Sequence, residues 1–212
     1  ADPPALAPNA QLVREAQGPV AALPLLEKAT ELAPGNIDLL GEYAATLAEA
    51  GRQQDMLQVA REMVELDAAN ARAYFLQAVL AARTGNDNLA RRLLWRIRGE
   101  DDPAPATMLL DGILELRSGS PAQAIERFAA LTRRQPDNRT AQLLLGRALL
   151  ANGEANEVVA RLAARADRPD ASPYLLTLVA RAYEEVGKRD AAAVYLDRAA
   201  APALAGAWPV PV

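Results

Sequence analysis

Histidine and cysteine are both absent from this chain. Their absence removes histidine-based triads, cysteine nucleophiles, disulfides and the common zinc and haem ligand sets, and it leaves the redox compartment unread. Aromatic residues make up only 4% of the sequence, which fits close packing of small and aliphatic side chains better than an aromatic-lined pocket. Lysine occurs twice against 21 arginines; with abundant alanine, this reads as the coding bias of a GC-rich bacterium rather than a nucleic-acid signal. The formal charge is −4 and the pI about 5.1, whereas a chain that tracks phosphates should be net basic. No apolar run approaches the ~18–20 residues needed to span a bilayer. Neither a Gly-x-x-x-x-Gly-Lys loop nor a Gly-x-Gly-x-x-Gly turn is present. Serine occurs only at Ser118, Ser120 and Ser172, all in predicted turns, where capping is the expected job. The acidic run Glu100-Asp101-Asp102 before Pro103 reads as a solvated loop rather than a cation site. The expectation is a non-catalytic protein with no cofactor and no metal.

What the chain does have is a period. Gly51, Gly85, Gly119, Gly153 and Gly187 are spaced 34 residues apart without a break. A fixed period of this length marks a supersecondary unit copied and stacked along the chain. Each glycine separates two stretches of helical periodicity. Before Gly119, the residues Leu109, Leu110, Ile113, Leu114 and Leu116 fit a helix better than a strand. After it, Ser120-Pro121 offers an N-cap and a first-turn proline. A helix that stops and reverses in a few residues wants a left-handed residue just past its end, which glycine supplies at little cost.

Other residues keep the same register. Ala22, Ala90, Ala124 and Ala192 recur in the second helix, with Met56 and Val158 in the other two copies. Four residues later come Leu26, Ala60, Leu94, Phe128, Leu162 and Leu196. Small residues allow helices to approach and larger ones fill the space beside them. Breakers follow each second helix: Pro34-Gly35, Asp67 to Asn70, Gly99 to Pro105, Pro136 to Asn138, and Pro169 to Pro173. The pattern predicts an all-α chain of antiparallel helix pairs, each helix about 13–14 residues and so ~20 Å long.

These features resemble the tetratricopeptide repeat family. One copy matches its pattern most fully, through Gly112, Ala124, Phe128 and Pro136. Gly146 matches in the next copy, and Ala44, Ala78 and Ala180 stand at that place elsewhere. Met108 stands where the family usually has an aromatic, and Glu115 where tyrosine is common. Arg165 occupies a place usually small and buried, so the helix pair at 139–167 is expected to pack less tightly. The resemblance implies a right-handed α-α superhelix over residues 9–201, with units at about 9–36, 37–70, 71–104, 105–138, 139–172 and 173–201. Residues 1–8 read as a flexible leader, because they are rich in proline. Residues 202–212 read as a tail or the start of a further repeat, with Trp208 either opening a seventh unit or folding back over the apolar end.

The resemblance also implies that the first helix of each pair lines a concave face. Carried over, this selects Arg72, Phe75, Val79 and Arg83, then Leu109, Ile113 and Arg117, then Leu143 and Arg147, then Tyr174 and Arg181. An apolar strip edged by arginines suits a peptide or protein partner with apolar anchors and acidic residues, because arginine grips carboxylates through paired hydrogen bonds. The competing reading is that the arginines are ordinary exposed residues and that Leu and Ile serve repeat-to-repeat contacts. The lysine and asparagine set with which some members hold a C-terminal carboxylate has no counterpart here. A second candidate interface is Arg92, Trp95 and Arg96, placed outward on a second helix. There, Trp95 is either a hot spot or covered by stacked arginines.

The expected function is a bacterial interaction scaffold, in a setting of cell-envelope assembly, secretion or polysaccharide export. The alternatives are a self-assembling module or the regulatory repeats of a larger enzyme such as a glycosyltransferase. The start Ala1-Asp-Pro-Pro leans toward the periplasm or envelope, with the cytoplasm left open.

Overall fold

In the computed structural model, residues 3–97 and 103–200 are described. Twelve α-helices run through them: α1 (Pro3–Gln17), α2 (Pro19–Leu32), α3 (Ile37–Glu49), α4 (Gln53–Leu66), α5 (Ala71–Arg83), α6 (Asp87–Ile97), α7 (Pro105–Arg117), α8 (Pro121–Arg134), α9 (Arg139–Ala151), α10 (Ala155–Ala166), α11 (Pro173–Glu185) and α12 (Arg189–Ala200). No strand occurs among the described residues. The chain falls into two compact units, Ala1–Thr107 and Met108–Val212.

The turn inside each pair follows from its glycine. Gly119 has φ +76°, and Gly51, Gly85, Gly153 and Gly187 lie between +75° and +79°. At Gly119 the left-handed residue lets two amides reach back over the helix end. Gly119 N–H donates to the Leu116 carbonyl at 3.2 Å and Ser120 N–H to that of Glu115 at 2.9 Å. This satisfies carbonyls that the helix end leaves without partners. The longer reach recurs from Arg52 to Leu47, Asn86 to Ala81, Glu154 to Leu149 and Lys188 to Tyr183, all at 2.8–2.9 Å. A sixth left-handed glycine, Gly18 at φ +90°, turns the first pair. It stands one place late for the 34-residue step, so the register alone did not reveal it.

Helix starts follow a second periodic signal. Asn36, Asn70 and Asn138 accept from the backbone N–H of Leu39, Ala73 and Ala141 at 3.1, 2.9 and 2.9 Å. Ser172 does the same for Leu175 at 3.3 Å. Each such cap contributes ~1 kcal/mol. Ser120 holds the N-cap position of α8, but its side chain makes no capping bond. Its hydroxyl instead faces that of Ser118 at 3.4 Å, and Ser118 donates to the Glu115 carbonyl. The expected leader is corrected as well. α1 begins at Pro3, since prolines in a first turn lose no helical hydrogen bond, and Pro8 lies inside the helix.

In the first unit, the core is built from Leu23 and Leu26 of α2, Leu40, Tyr43 and Leu47 of α3, and Met56, Val59 and Met63 of α4. In the second, Phe128 and Ala124 of α8 join Leu145 and Leu149 of α9, Val158 and Leu162 of α10, and Leu176 and Val179 of α11. Two helical glycines permit close approach. A Cβ on Gly112 would come within 2.6 Å of the Phe128 ring, and one on Gly146 within 2.5 Å of the Leu162 side chain. The small places Ala22, Met56, Ala90, Ala124, Val158 and Ala192 are all buried. Of the larger set, Leu196 alone is exposed, at 38%, because no further described helix covers α12.

First helices of neighbouring pairs touch within each unit, α3 against α5 and α9 against α11. This places their remaining faces side by side, which is what a shared binding surface needs. At the far end, Tyr195 of α12 stacks on Tyr183 of α11 with ring centroids 5.5 Å apart and donates to Asp167 Oδ1 at 2.6 Å. Burial and that hydrogen bond hold the Tyr195 phenol well above its usual range.

Candidate partner-binding surfaces

In the first unit, α5 carries Arg72, Phe75, Val79 and Arg83 on the face expected for a partner. Arg72 Nη2 meets Glu42 Oε1 of α3 at 2.9 Å, and Arg14 of α1 approaches Glu42 at 3.7 Å and Glu49 at 4.0 Å. The Arg72 guanidinium also lies over Gly41, where an added Cβ would meet it at 2.7 Å. Glycine thus makes the bed on which this arginine rests. These pairs are open to solvent, so each is worth only ~0–1 kcal/mol, but Arg72 is already engaged by its own chain. Phe75 and Val79 are half-buried. Phe75 shares with Arg72, Ile97, Pro103 and Thr107 the wall of a cavity of ≈280 Å³. Arg83 is exposed and makes no ion pair among the described residues.

In the second unit, Leu109, Ile113 and Leu143 are half-buried and pack against its core. They serve repeat-to-repeat contact and surface together. Arg117, Arg147 and Arg181 are exposed, and Tyr174 is 49% exposed. Arg147 and Arg181 make no ion pair among the described residues. Contrast Asp111, whose carboxylate is nearly buried and is met by Arg127 Nε at 2.9 Å; that pair joins α7 to α8 and is structural. Unmatched guanidinium groups beside half-buried aliphatics are a surface that can take a carboxylate and an apolar side chain together.

The second candidate lies on α6. Trp95 is 72% exposed, and Arg92 and Arg96 are exposed with it. Arg96 does not cover the tryptophan. Its guanidinium carbon sits 5.6 Å from the centroid of the Tyr74 ring on α5. The cation–π contact therefore ties α6 to α5 and leaves the indole open. Glu100, Asp101, Asp102, Trp208 and the tail at 202–212 lie outside the described residues. Among the described residues, no group of three or more His, Cys, Asp or Glu side chains is placed to hold a metal ion. No described helix is long and apolar enough to cross a membrane.

Sequence reasoning missed the Glu42 partner of Arg72, because it lies 30 residues away. It also missed the periodic caps, although Asn36, Asn70 and Asn138 stand at the glycine spacing and could have been found by the same count.

Stacked helix pairs of this kind define an all-α helical-repeat fold. A tetratricopeptide repeat family model matches residues 115–182. Among solved structures, PilW, a widely conserved type IV pilus biogenesis factor, superposes with a TM-score of 0.77 at 16% identity, covering 92% of this chain and 91% of that one. Pseudomonas aeruginosa pilF gives 0.75 at 20% identity, covering 91% and 88%. YrrB, a tetratricopeptide repeat protein with an unusual peptide-binding site, gives 0.69 at 17% identity, covering 82% and 90%. No curated protein matches the sequence. The family match lies within residues 115–182, and the fold of the described residues is that of the tetratricopeptide repeat structures on which it superposes.

Proposed function

We propose that the protein is a non-catalytic scaffold that holds a peptide or protein partner on its first-helix faces. The observation that carries this reading is the second unit's surface: Arg147 and Arg181 exposed and without an ion pair among the described residues, beside Leu143 and Ile113 half-buried. A partner with an apolar anchor and acidic residues matches that surface in polarity and sign. Cell-envelope assembly is the setting we favour. The fold is shared with a pilus biogenesis factor, and the likeness at that identity speaks for the fold alone.

The test is affinity capture from the source organism with wild type and with Arg147→Glu/Arg181→Glu, both residues being exposed. Loss of a captured protein with the variant, at an unchanged melting temperature, is the expected outcome. Equal capture by both would refute the surface assignment. Trp95, 72% exposed, supports a second reading, self-association through α6. Solution mass that rises with concentration and falls back with Trp95→Ala would establish that instead.

A further inference from the structure

One pair departs from the repeat at two places, and the departures meet. The place of Arg165 holds Ala29, Met63, Ile97 and Leu131 in the pairs before it, all buried at 0–7% exposure. The place of Arg139 holds Ile37, Ala71, Pro105 and Pro173 in other pairs. Both arginines line one cavity of ≈160 Å³, together with Arg168, Asp170, Ser172 and the aliphatic side chains of Leu143, Ala171 and Leu175. Two apolar places of the repeat have thus become cationic, and a third cation faces them.

The charges are not cancelled locally. Arg168 Nε meets Asp170 Oδ1 at 3.2 Å. Arg165 Nη1 donates to the neutral Gln142 amide, and Arg139 makes no ion pair among the described residues. Three guanidinium groups against one carboxylate leave +2 (3 − 1) around the cavity. The Ser172 hydroxyl accepts from the Leu175 backbone N–H in capping α11 and keeps its own O–H as a neutral donor beside the arginines. The loop that carries Arg168 is held from behind. Arg198 of α12 donates to the carbonyls of Ala166 and Arg168, each at 2.7 Å, and Tyr195 holds Asp167. Fixing a donor's backbone in advance lowers the ordering cost of binding.

We propose that this cavity is an anion subsite that takes the side-chain carboxylate of an acidic residue in the partner peptide. The apolar wall of Leu143, Ala171 and Leu175 suits the short aliphatic stem of such a residue. The proposal rests on the scaffold reading, since Leu143 belongs to both the cavity and the first-helix surface.

The probe is acetyl-glutamate methylamide, titrated into the ¹⁵N-labelled protein while the arginine Nε–H signals are followed. The signals of Arg139, Arg165 and Arg168 should shift and saturate, and acetyl-glutamine methylamide should leave them in place. Arg165→Met and, separately, the exposed Arg139→Gln should each weaken the apparent affinity at least tenfold with helical content unchanged. Equal response to the glutamine analogue, or shifts as large at Arg83 and Arg147, would overturn the site. Tighter binding of inorganic phosphate, or of acetyl-leucine through its terminal carboxylate, would overturn the assignment of its ligand. If the cavity fails these tests while Arg147→Glu/Arg181→Glu still abolishes capture, the scaffold reading stands without this subsite. If the cavity responds and capture survives that double change, the first-helix surface is what falls.

Discussion

The pairs α7–α8 and α9–α10 share one register and end differently. In the first, Gly112 lies under Phe128, and Leu131 is fully buried. In the second, Gly146 lies under Leu162 in the same way. The counterpart of Leu131 is Arg165, half-buried and turned to Gln142 beside a cavity. Arg165 lines a cavity at a place where the earlier pairs bury an apolar side chain. A repeat register dictates where a side chain sits. The identity of that side chain decides whether the place becomes core or site.

The sharpest way to break the comparison is Phe128→Ala. It empties a fully buried ring position and should cost ~3–5 kcal/mol, read as a fall of many degrees in the melting temperature. A loss below about 1 kcal/mol would mean that α7 and α8 close over the gap.

Gly119→Val attacks what the two pairs share. The left-handed backbone there should make it cost ~1–2 kcal/mol, although a Cβ would meet no atom within 4 Å. Unchanged denaturant midpoints would show that the turn relaxes freely. Arg165→Leu makes the second pair resemble the first, and it should gain on the order of 1 kcal/mol by placing an apolar side chain where the earlier pairs bury one while weakening anion binding at least tenfold. Destabilisation would show that the Gln142 contact outweighs apolar filling.

The smallest effects concern caps. Asn138→Ala should cost ~1 kcal/mol, because its side chain accepts from Ala141. Ser120→Ala at the start of α8 should stay within ~0.5 kcal/mol, because no capping bond is lost. Parallel urea melts of the two variants check both, and equal losses would mean that Ser120 caps in solution.

The five glycines made the helix pairs legible because a left-handed turn is a local demand, met within a few residues. Position along the period was legible for the same reason: Ala124, Val158 and Phe128 are buried where the count placed them. The helix at Pro3 was not legible, since proline content was read without its position in the first turn. The candidate surface was legible as a set of residues on first helices, but not as a distribution of charge. Arg72 and Arg147 look alike in the sequence. One lies against Glu42 from another helix pair, and the other has no ion pair among the described residues.

The sequence by itself determined the period, the helix ends and the buried face, because backbone conformation and apolar spacing act over short stretches of chain. Tertiary structure alone decided which arginines are matched, which aromatic stacks on which cation, and that Arg139, Arg165 and Arg168 line one cavity. Those outcomes depend on distances between residues tens of positions apart, and these are set only when the helix pairs stack.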